Sequence, residues 1–274
     1  SLALDSNTTG TNSVAVGYQA LYVNTTGTRN TAIGSTALQA NTTGQENTAV
    51  GFGTLYQATT GSYNNAFGSS DGVVGPALGN NLTGSYNNAF GNGALGNNNA
   101  NYNSAFGHSA LKQNSTGSPN DAFGYQALLL NTTGAQNVAI GFQTLNNNVG
   151  GAANTAVGYK ALTSNTANSN TAVGGYAGQE VTSGTNNTLI GKSAGYDTVA
   201  LTTGTDNTVV GANCRTSAVG GVNQIVIGSN IAGQGDNYVT FGKPSNVVYN
   251  QFTVNATWTR ASDRKSTRLN SSHV

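Results

Sequence analysis

Residues 30–46 are NTAIGSTALQANTTGQE, and the same pattern begins again at once with NTAVG at residues 47–51. Each unit opens with Asn, a small or β-branched residue, Ala, then Val, Ile or Phe, and then Gly. Many units continue with an Ala-Leu or Thr-Leu pair and an NTTG turn, as at Ala37-Leu38 and Asn41 to Gly44. The glycine that closes the opening motif recurs in most cases 16 or 17 residues later, at Gly17, Gly34, Gly51, Gly68, Gly91, Gly107, Gly124, Gly141, Gly158, Gly174, Gly191, Gly211, Gly228 and Gly242.

The length of this unit determines the predicted fold class. Helical repeats such as TPR, ankyrin and HEAT need ~33 residues or more, and this unit has Gly and Asn where a helix needs continuity. It predicts a strand, a tight turn, a short second strand and a polar loop. We therefore expect an all-β parallel β-solenoid of about fourteen rungs, which at ~4.8 Å per rung is a rod about 65 Å long.

The strand has two faces of different composition. Because alternate side chains point to opposite faces, the Val, Ile or Phe before each Gly shares a face with the residue two positions earlier. The Ala between them, such as Ala32, Ala49 and Ala156, points the other way. Both faces are nearly apolar, so we expect one to pack within the subunit and the other against a neighbouring chain.

Glycine and asparagine have predicted roles at the corners. The repeated Gly permits a positive φ or a close approach of two backbones. Asn at each turn tolerates the left-handed conformation, and its amide could stack into a ladder along the rod.

Composition excludes several classes of protein. The chain has 274 residues, a net charge of +1 and 7% charged residues, with 38 Gly but only 3 Pro. Collagen needs Gly at every third position and abundant Pro, and a nucleic-acid clamp needs a basic surface. No run approaches the ~20 apolar residues of a transmembrane helix. The chain starts at Ser1 and lacks Met, so we expect an internal fragment or a processed product.

The repeat resembles two groups of fibrous proteins. Asn12 to Gly17, NSVAVG, resembles the head repeat of trimeric autotransporter adhesins, which implies a left-handed parallel β-roll in an intertwined homotrimer. The longer forms at Asn137 to Gly158 and Asn120 to Gly134 are similar to the shaft repeats of phage tail fibres. The resemblance covers residues 1–242 and implies an extracellular location on a virion or a cell surface.

Three segments are predicted. Residues 1–242 form the repeat shaft, interrupted by an insertion at 69–81 that is expected to be an exposed loop, with receptor contact as the alternative. Residues 243–262 form a neck, with strands at 247–249 and 252–254. Ala261 to Asp263 resembles the start of an endosialidase-type intramolecular chaperone domain, which is missing here. Residues 263–274 are predicted to be a disordered tail, because DRKSTRLNSSH resembles the in-frame translation of a sequencing adapter.

No catalytic, cofactor-binding or metal-ligating residue is predicted. His108 stands alone where other rungs have Tyr or Lys, so solvent exposure is expected rather than metal binding. Cys214, the single cysteine, excludes an intramolecular disulfide and a Cys-based zinc site, and its place in the repeat predicts an inert buried thiol. Tyr18, Tyr125 and Tyr159 could form a stacking platform for sugars, but we expect them to cover the edge of the rod.

Three classes of function follow from these features. The first is a structural and adhesive fibre, a homotrimer without enzymatic activity that spaces or presents a receptor-binding tip, with a host surface glycan or receptor as its partner. No nucleic-acid partner or membrane insertion is expected. An ice- or surface-binding solenoid is the alternative, but its Thr column is interrupted at Val14, Asn65, Asn88, Asp121 and Val138. A polysaccharide-degrading β-helix enzyme lacks the necessary carboxylate cluster.

Overall fold

The computed structural model describes residues 2–70, 72, 74–196, 199–252 and 259–260, and within these ranges the chain is all-β without a helix. Sixteen strands form one sheet in which each strand pairs with the next along the sequence. The strands are β1 Val14–Val16, β2 Thr31–Ile33, β3 Thr48–Val50, β4 Asn65–Phe67, β5 Asn88–Phe90, β6 Asn103–Phe106, β7 Asn120–Phe123, β8 Asn137–Ile140, β9 Thr155–Val157, β10 Thr171–Val173, β11 Thr188–Ile190, β12 Thr208–Val210, β13 Ile225–Gly228, β14 Tyr238–Lys243, β15 Asn246–Gln251 and β16 Thr259–Arg260.

Strands β1 to β14 pair in parallel and form a β-solenoid of about thirteen turns. Equivalent motif residues pair directly, so that Ala15 lies beside Ala32 and Val16 beside Ile33. The 23-residue spacing across the insertion keeps the same register, with Ala66 beside Ala89. The parallel β-solenoid predicted from the repeat is confirmed.

The core of the rungs up to Leu162 contains the strand Ala and the Ala-Leu or Thr-Leu pair. Ala32, Ala49 and Ala156 are fully buried, whereas the residues on either side of them are half-buried or exposed. The predicted assignment of the two strand faces is therefore confirmed. Leu21, Leu38 and their equivalents up to Leu162 are also fully buried. Burial of each such leucine contributes about 1.5–3 kcal/mol to the free energy of unfolding. The same contribution recurs in every rung that has the leucine.

The Ala-Leu segment is not the predicted second strand. Leu38 and Leu128 have φ values of 50° and 52°, and the buried leucines of the other rungs are similar. This left-handed conformation is outside the β region, so no strand forms there. The rungs still bond to one another, since Leu21 N donates to Ala37 O at 3.0 Å and Leu38 N to Thr54 O at 3.0 Å.

Two ladders of buried asparagine amides run along the solenoid. In the predicted ladder at the turns, Asn41 Nδ2 donates to Asn24 Oδ1 at 2.7 Å and to Gly44 O at 3.0 Å. A second ladder uses the Asn that opens each motif: Asn47 N donates to Asn30 Oδ1 at 3.0 Å, and Asn47 Nδ2 donates to Gly61 O at 2.8 Å. Most of these amides bond to backbone groups of their own or the neighbouring rung, as buried polar atoms require. Each ladder is interrupted where an amide oxygen has no hydrogen-bond partner among the described residues, at Asn41, Asn103 and Asn148.

The turn asparagines do not adopt the expected left-handed conformation. Asn24, Asn41 and Asn131 have ordinary negative φ values, and the positive values fall on the buried leucine three residues earlier. The side chain of each turn Asn is instead committed to the ladder. The hydrogen bonds of its side-chain amide, rather than its tolerance of a left-handed backbone, therefore explain why Asn occupies this turn position.

Glycine is required at the corner both for a positive φ and for the close approach of two backbones, as predicted. Gly141 has a φ of 133°, and a Cβ there would lie 2.4 Å from Gly158 O in the next rung. A side chain would therefore both strain the backbone and push two rungs apart.

Replacing this glycine should weaken the whole stack. We expect Gly141→Ala to lower the free energy of unfolding by about 2–5 kcal/mol, because backbone strain and steric overlap add. Gly175→Ala is the matched control, since a Cβ at Gly175 would meet no atom within 4 Å and its φ is not positive. Chemical denaturation of both variants measures the difference, and equal stabilities would contradict the close packing of corners.

The late rungs keep the core filled by a different set of side chains. Gly178 and Gly195 stand where earlier rungs have the buried leucine, and Leu189 replaces the strand Ala. A Cβ on Gly178 would lie 2.6 Å from Leu189 Cδ1, and one on Gly195 would lie 3.1 Å from Leu189 Cδ2. The fully buried Leu189 therefore occupies the space that these two glycines leave.

This exchange predicts a rescue experiment. Leu189→Ala alone should cost about 2–5 kcal/mol in unfolding free energy, because it leaves a cavity beside two glycines. Adding Gly178→Leu and Gly195→Leu restores the arrangement of the early rungs, and both glycines already have the positive φ that those leucines adopt. The triple variant should recover most of the loss in a thermal melt, whereas additive destabilisation would contradict the exchange.

The parallel stack ends in antiparallel strands. β14 pairs with β15 from Tyr238 beside Gln251 to Lys243 beside Asn246, and β15 then pairs with β16. The strand expected at 247–249 lies within β15. The one expected at 252–254 falls largely outside the described residues, as do Trp258 and the whole 263–274 tail.

Candidate functional site

The outward face of β1 to β14 carries a continuous apolar column. It consists of the residue before each repeat glycine, aligned by the strand register: Val16, Ile33, Val50, Phe67, Phe90, Phe106, Phe123, Ile140, Val157, Val173, Ile190, Val210, Ile227 and Phe241. We call it the outer column. Val16 is 57% exposed and Ile140 42% exposed in the single chain. Large apolar surfaces of this kind often mark protein interfaces.

Four phenylalanines form a stack within the outer column. The ring centroids of Phe67 and Phe90 are 4.7 Å apart, and those of Phe106 are 4.6 Å from Phe90 and 4.7 Å from Phe123. The rings are nearly parallel, with interplanar angles of 6–8°. The spacing of adjacent strands therefore brings these rings face to face.

Two further stacks lie beside the strands. Tyr63, Tyr86 and Tyr102 form one, with centroid distances of 4.8 and 5.1 Å. The other stack begins with His108, Tyr125, Phe142 and Tyr159, at 5.4, 5.2 and 5.2 Å between neighbours. It continues with Tyr176, edge-on to Tyr159, and Tyr196.

His108 is part of this stack and is half-buried, so the expected solvent-exposed position is wrong. Its Nδ1 lies 3.1 Å from Ser109 Oγ. Tyr125 and Tyr159 belong to the same stack, whereas Tyr18 is 56% exposed and has no ring neighbour among the described residues. In the three stacks the rings contact one another along the rod. The faces of rings inside a stack are therefore largely covered, so that a sugar approaching these inner rings meets mainly their edges.

The phenylalanine stack should stabilise the rod in proportion to the contacts each ring makes. Phe106 has two ring neighbours, whereas Phe67, at the end of the stack, has one. We expect Phe106→Ala to cost about 0.5–1.5 kcal/mol more than Phe67→Ala, the value of one additional aromatic contact. Denaturation of the two variants under identical conditions tests this, and an equal or reversed order would show that stacking contributes little.

The insertion creates a cavity of about 360 Å³ on the surface of the solenoid. Phe52, Tyr56 and Pro76 provide apolar walls, and Thr36, Ser70 and Asn80 provide polar groups. Most described residues of the insertion are half-buried or buried rather than fully exposed, because the chain folds back onto the preceding rung. Sequence reasoning located the insertion but gave no indication of the cavity.

The ionisable groups are dispersed along the solenoid. Glu46 Oε1 accepts a hydrogen bond from Arg29 Nη1 at 2.7 Å, and Asp206 accepts one from Asn186 Nδ2 at 3.0 Å. Asp236 accepts hydrogen bonds from Val222 N and Gln224 Nε2. Among the described residues, no group of three or more His, Cys, Asp or Glu could hold a metal ion.

Cys214 is fully buried at the position of the small residue that precedes the core leucine. Burial raises the pKa of its thiol, although hydrogen bonds with backbone groups near Ile231, Gly228 and Asn230 oppose the effect. The thiol is therefore kept in its less nucleophilic neutral form. This placement fits a core residue.

The chain matches no protein-family model, no curated protein and no solved structure. In the part of the chain that the structure describes, no helix is long and apolar enough to cross a bilayer.

Proposed function

We propose that this chain is a segment of an extracellular homotrimeric fibre, the shaft of a virion tail fibre or a cell-surface adhesin, whose left-handed β-rolls intertwine. The shaft spaces or presents a receptor-binding tip and has no enzymatic activity of its own. The observation that supports this proposal is the outer column, an apolar surface that extends over every rung.

A second and third copy of the chain are the occupants that fit the outer column best. Identical solenoids have the same rung spacing, so their outer columns can stay in register along the entire rod. The low charge of the chain adds little repulsion between copies, since ten basic and nine acidic residues nearly balance. Covering the column also removes its exposed apolar side chains from water.

The other two classes have weaker support. In the column that an ice-binding face would use, Thr155, Thr171, Thr188 and Thr208 follow one another, but Asp121 and Val138 precede them. Three of the described carboxylates, those of Glu46, Asp206 and Asp236, already have the hydrogen-bond partners given above, and the described acidic residues form no cluster of three or more. An ice-recrystallisation test and a polysaccharide hydrolysis assay should therefore both be negative.

A pair of adjacent substitutions separates the fibre interface from the subunit core. Ile140→Asp places a carboxylate on the outer column, and in a trimer this group would be buried without a partner. We expect it to reduce the trimer to smaller species in sedimentation velocity. Ala139→Asp places the same group in the fully buried core and should unfold the subunit itself.

The native chain is expected to sediment as a trimer and to form rods about 65 Å long in electron micrographs. A well-folded native monomer would contradict the proposal. So would an Ile140→Asp variant with unchanged oligomeric state and melting temperature.

A further inference from the structure

We propose that the cavity beside the insertion binds an uncharged saccharide through Phe52 and Tyr56. The inference rests on the proposed adhesive function and adds to it a binding site on the shaft, separate from any tip. Three features of the cavity support it: the missing side chain at Gly53, its two unstacked aromatic rings and its uncharged polar groups.

The cavity beside the insertion stays open because one repeat position that lines it, Gly53, has no side chain. Gly53 occupies the position of Gln19, Gln126 and Gln143 in other rungs, two residues after the corner glycine. A Cβ on Gly53 would approach Pro76 Cγ at 3.5 Å and Thr36 Oγ1 at 3.9 Å, so a longer side chain would extend into the cavity. Gly79 stands at the repeat position of Tyr56, but a Cβ there would lie 2.8 Å from Pro76 Cγ, so the Pro76 ring occupies that space and forms a wall of the cavity.

Phe52 and Tyr56 differ from the stacked aromatic residues of the shaft. Phe52 is 53% exposed and Tyr56 42% exposed, and neither ring stacks on another within the described residues. The neighbours of Phe52 in its column are Ser35 and Ser69, which cannot cover an aromatic ring. Two exposed rings beside one cavity are suited to the C–H face of a pyranose.

The polar groups of the cavity are hydroxyls and an amide. Thr36 Oγ1 donates to Ser35 O at 2.8 Å and keeps lone pairs that can accept a hydrogen bond. Asn80 Nδ2 donates to Asn97 Oδ1 at 2.7 Å, and its own Oδ1 accepts no hydrogen bond from the described residues. Among the residues that the structure describes, no Lys, Arg, Asp or Glu lines the cavity. Apolar walls with a few polar groups and a volume within ~300–1,000 Å³ are typical of small-molecule sites, and these groups suit sugar hydroxyls without a charge.

Saturation-transfer difference NMR on the full chain tests the proposal. The probes are the methyl glycosides of glucose, galactose, mannose and N-acetylglucosamine, together with the charged methyl glucuronide and indole, an aromatic ring without hydroxyls. We expect at least one neutral glycoside to bind, and to bind more tightly than the glucuronide or indole.

Two substitutions remove the site while using residues that the repeat already accepts. Gly53→Gln introduces the side chain of Gln126 and Gln143 at a φ of 71°, close to their values of 55° and 52°, and should weaken glycoside binding by at least about 10-fold. Phe52→Ser introduces the residue found in both adjacent rungs and should weaken binding by roughly 3-fold to 10-fold. Phe142→Ser, which removes a stacked ring from the same column, is the matched control and should bind normally.

Three outcomes would overturn the proposal: no glycoside binds, the glucuronide or indole is preferred, or Phe142→Ser weakens binding as much as Phe52→Ser does. Sedimentation of the same samples separates this proposal from the proposed fibre. If the chain is a trimer but binds no sugar, the proposed fibre is retained and the proposed sugar site is rejected. If the chain is a monomer that binds sugar through Phe52, the proposed trimeric fibre is rejected and the proposed sugar site is retained.

Discussion

The close contact between corner glycines is the constraint on which the rest of the solenoid depends. Gly34 and Gly141 bring their α-carbons so near to the carbonyl of the next rung that no Cβ fits between them. This contact holds each rung directly above its equivalent. Every other column of the structure, whether leucine, asparagine or phenylalanine, exists because the rungs are kept in this alignment.

Alignment makes each side chain depend on the one above and below it. Asparagine suits a buried column because one amide both donates and accepts, so that neighbouring asparagines can bond to one another along the rod. Leucine suits the core because it fills one rung completely. Where Gly178 and Gly195 replace leucine, the space is filled by Leu189 on the strand, which shows that volume per rung is maintained rather than residue identity.

The outer face of the strands tolerates more kinds of side chain than the core does. It admits Thr, Asn, Asp or Val beside the outer column without loss of register, since these side chains are half-buried or exposed and lie outside the core. Variation is greatest at the insertion, where Phe52 and Tyr56 have no ring neighbour among the described residues. The regular rungs thus form a scaffold on which one irregular rung can carry a binding site.

The sequence by itself determined the solenoid, the strand register and the faces of the strands, because a repeat of fixed length places equivalent residues above one another. It also predicted the turn amide ladder and the buried Cys214. Only the tertiary structure decided the left-handed conformation of Leu38, the second ladder through Asn30 and the cavity beside Gly53. These features depend on how backbone hydrogen bonds between rungs orient the turns and on which space a missing side chain leaves open. Neither can be deduced from the spacing of residues within one rung.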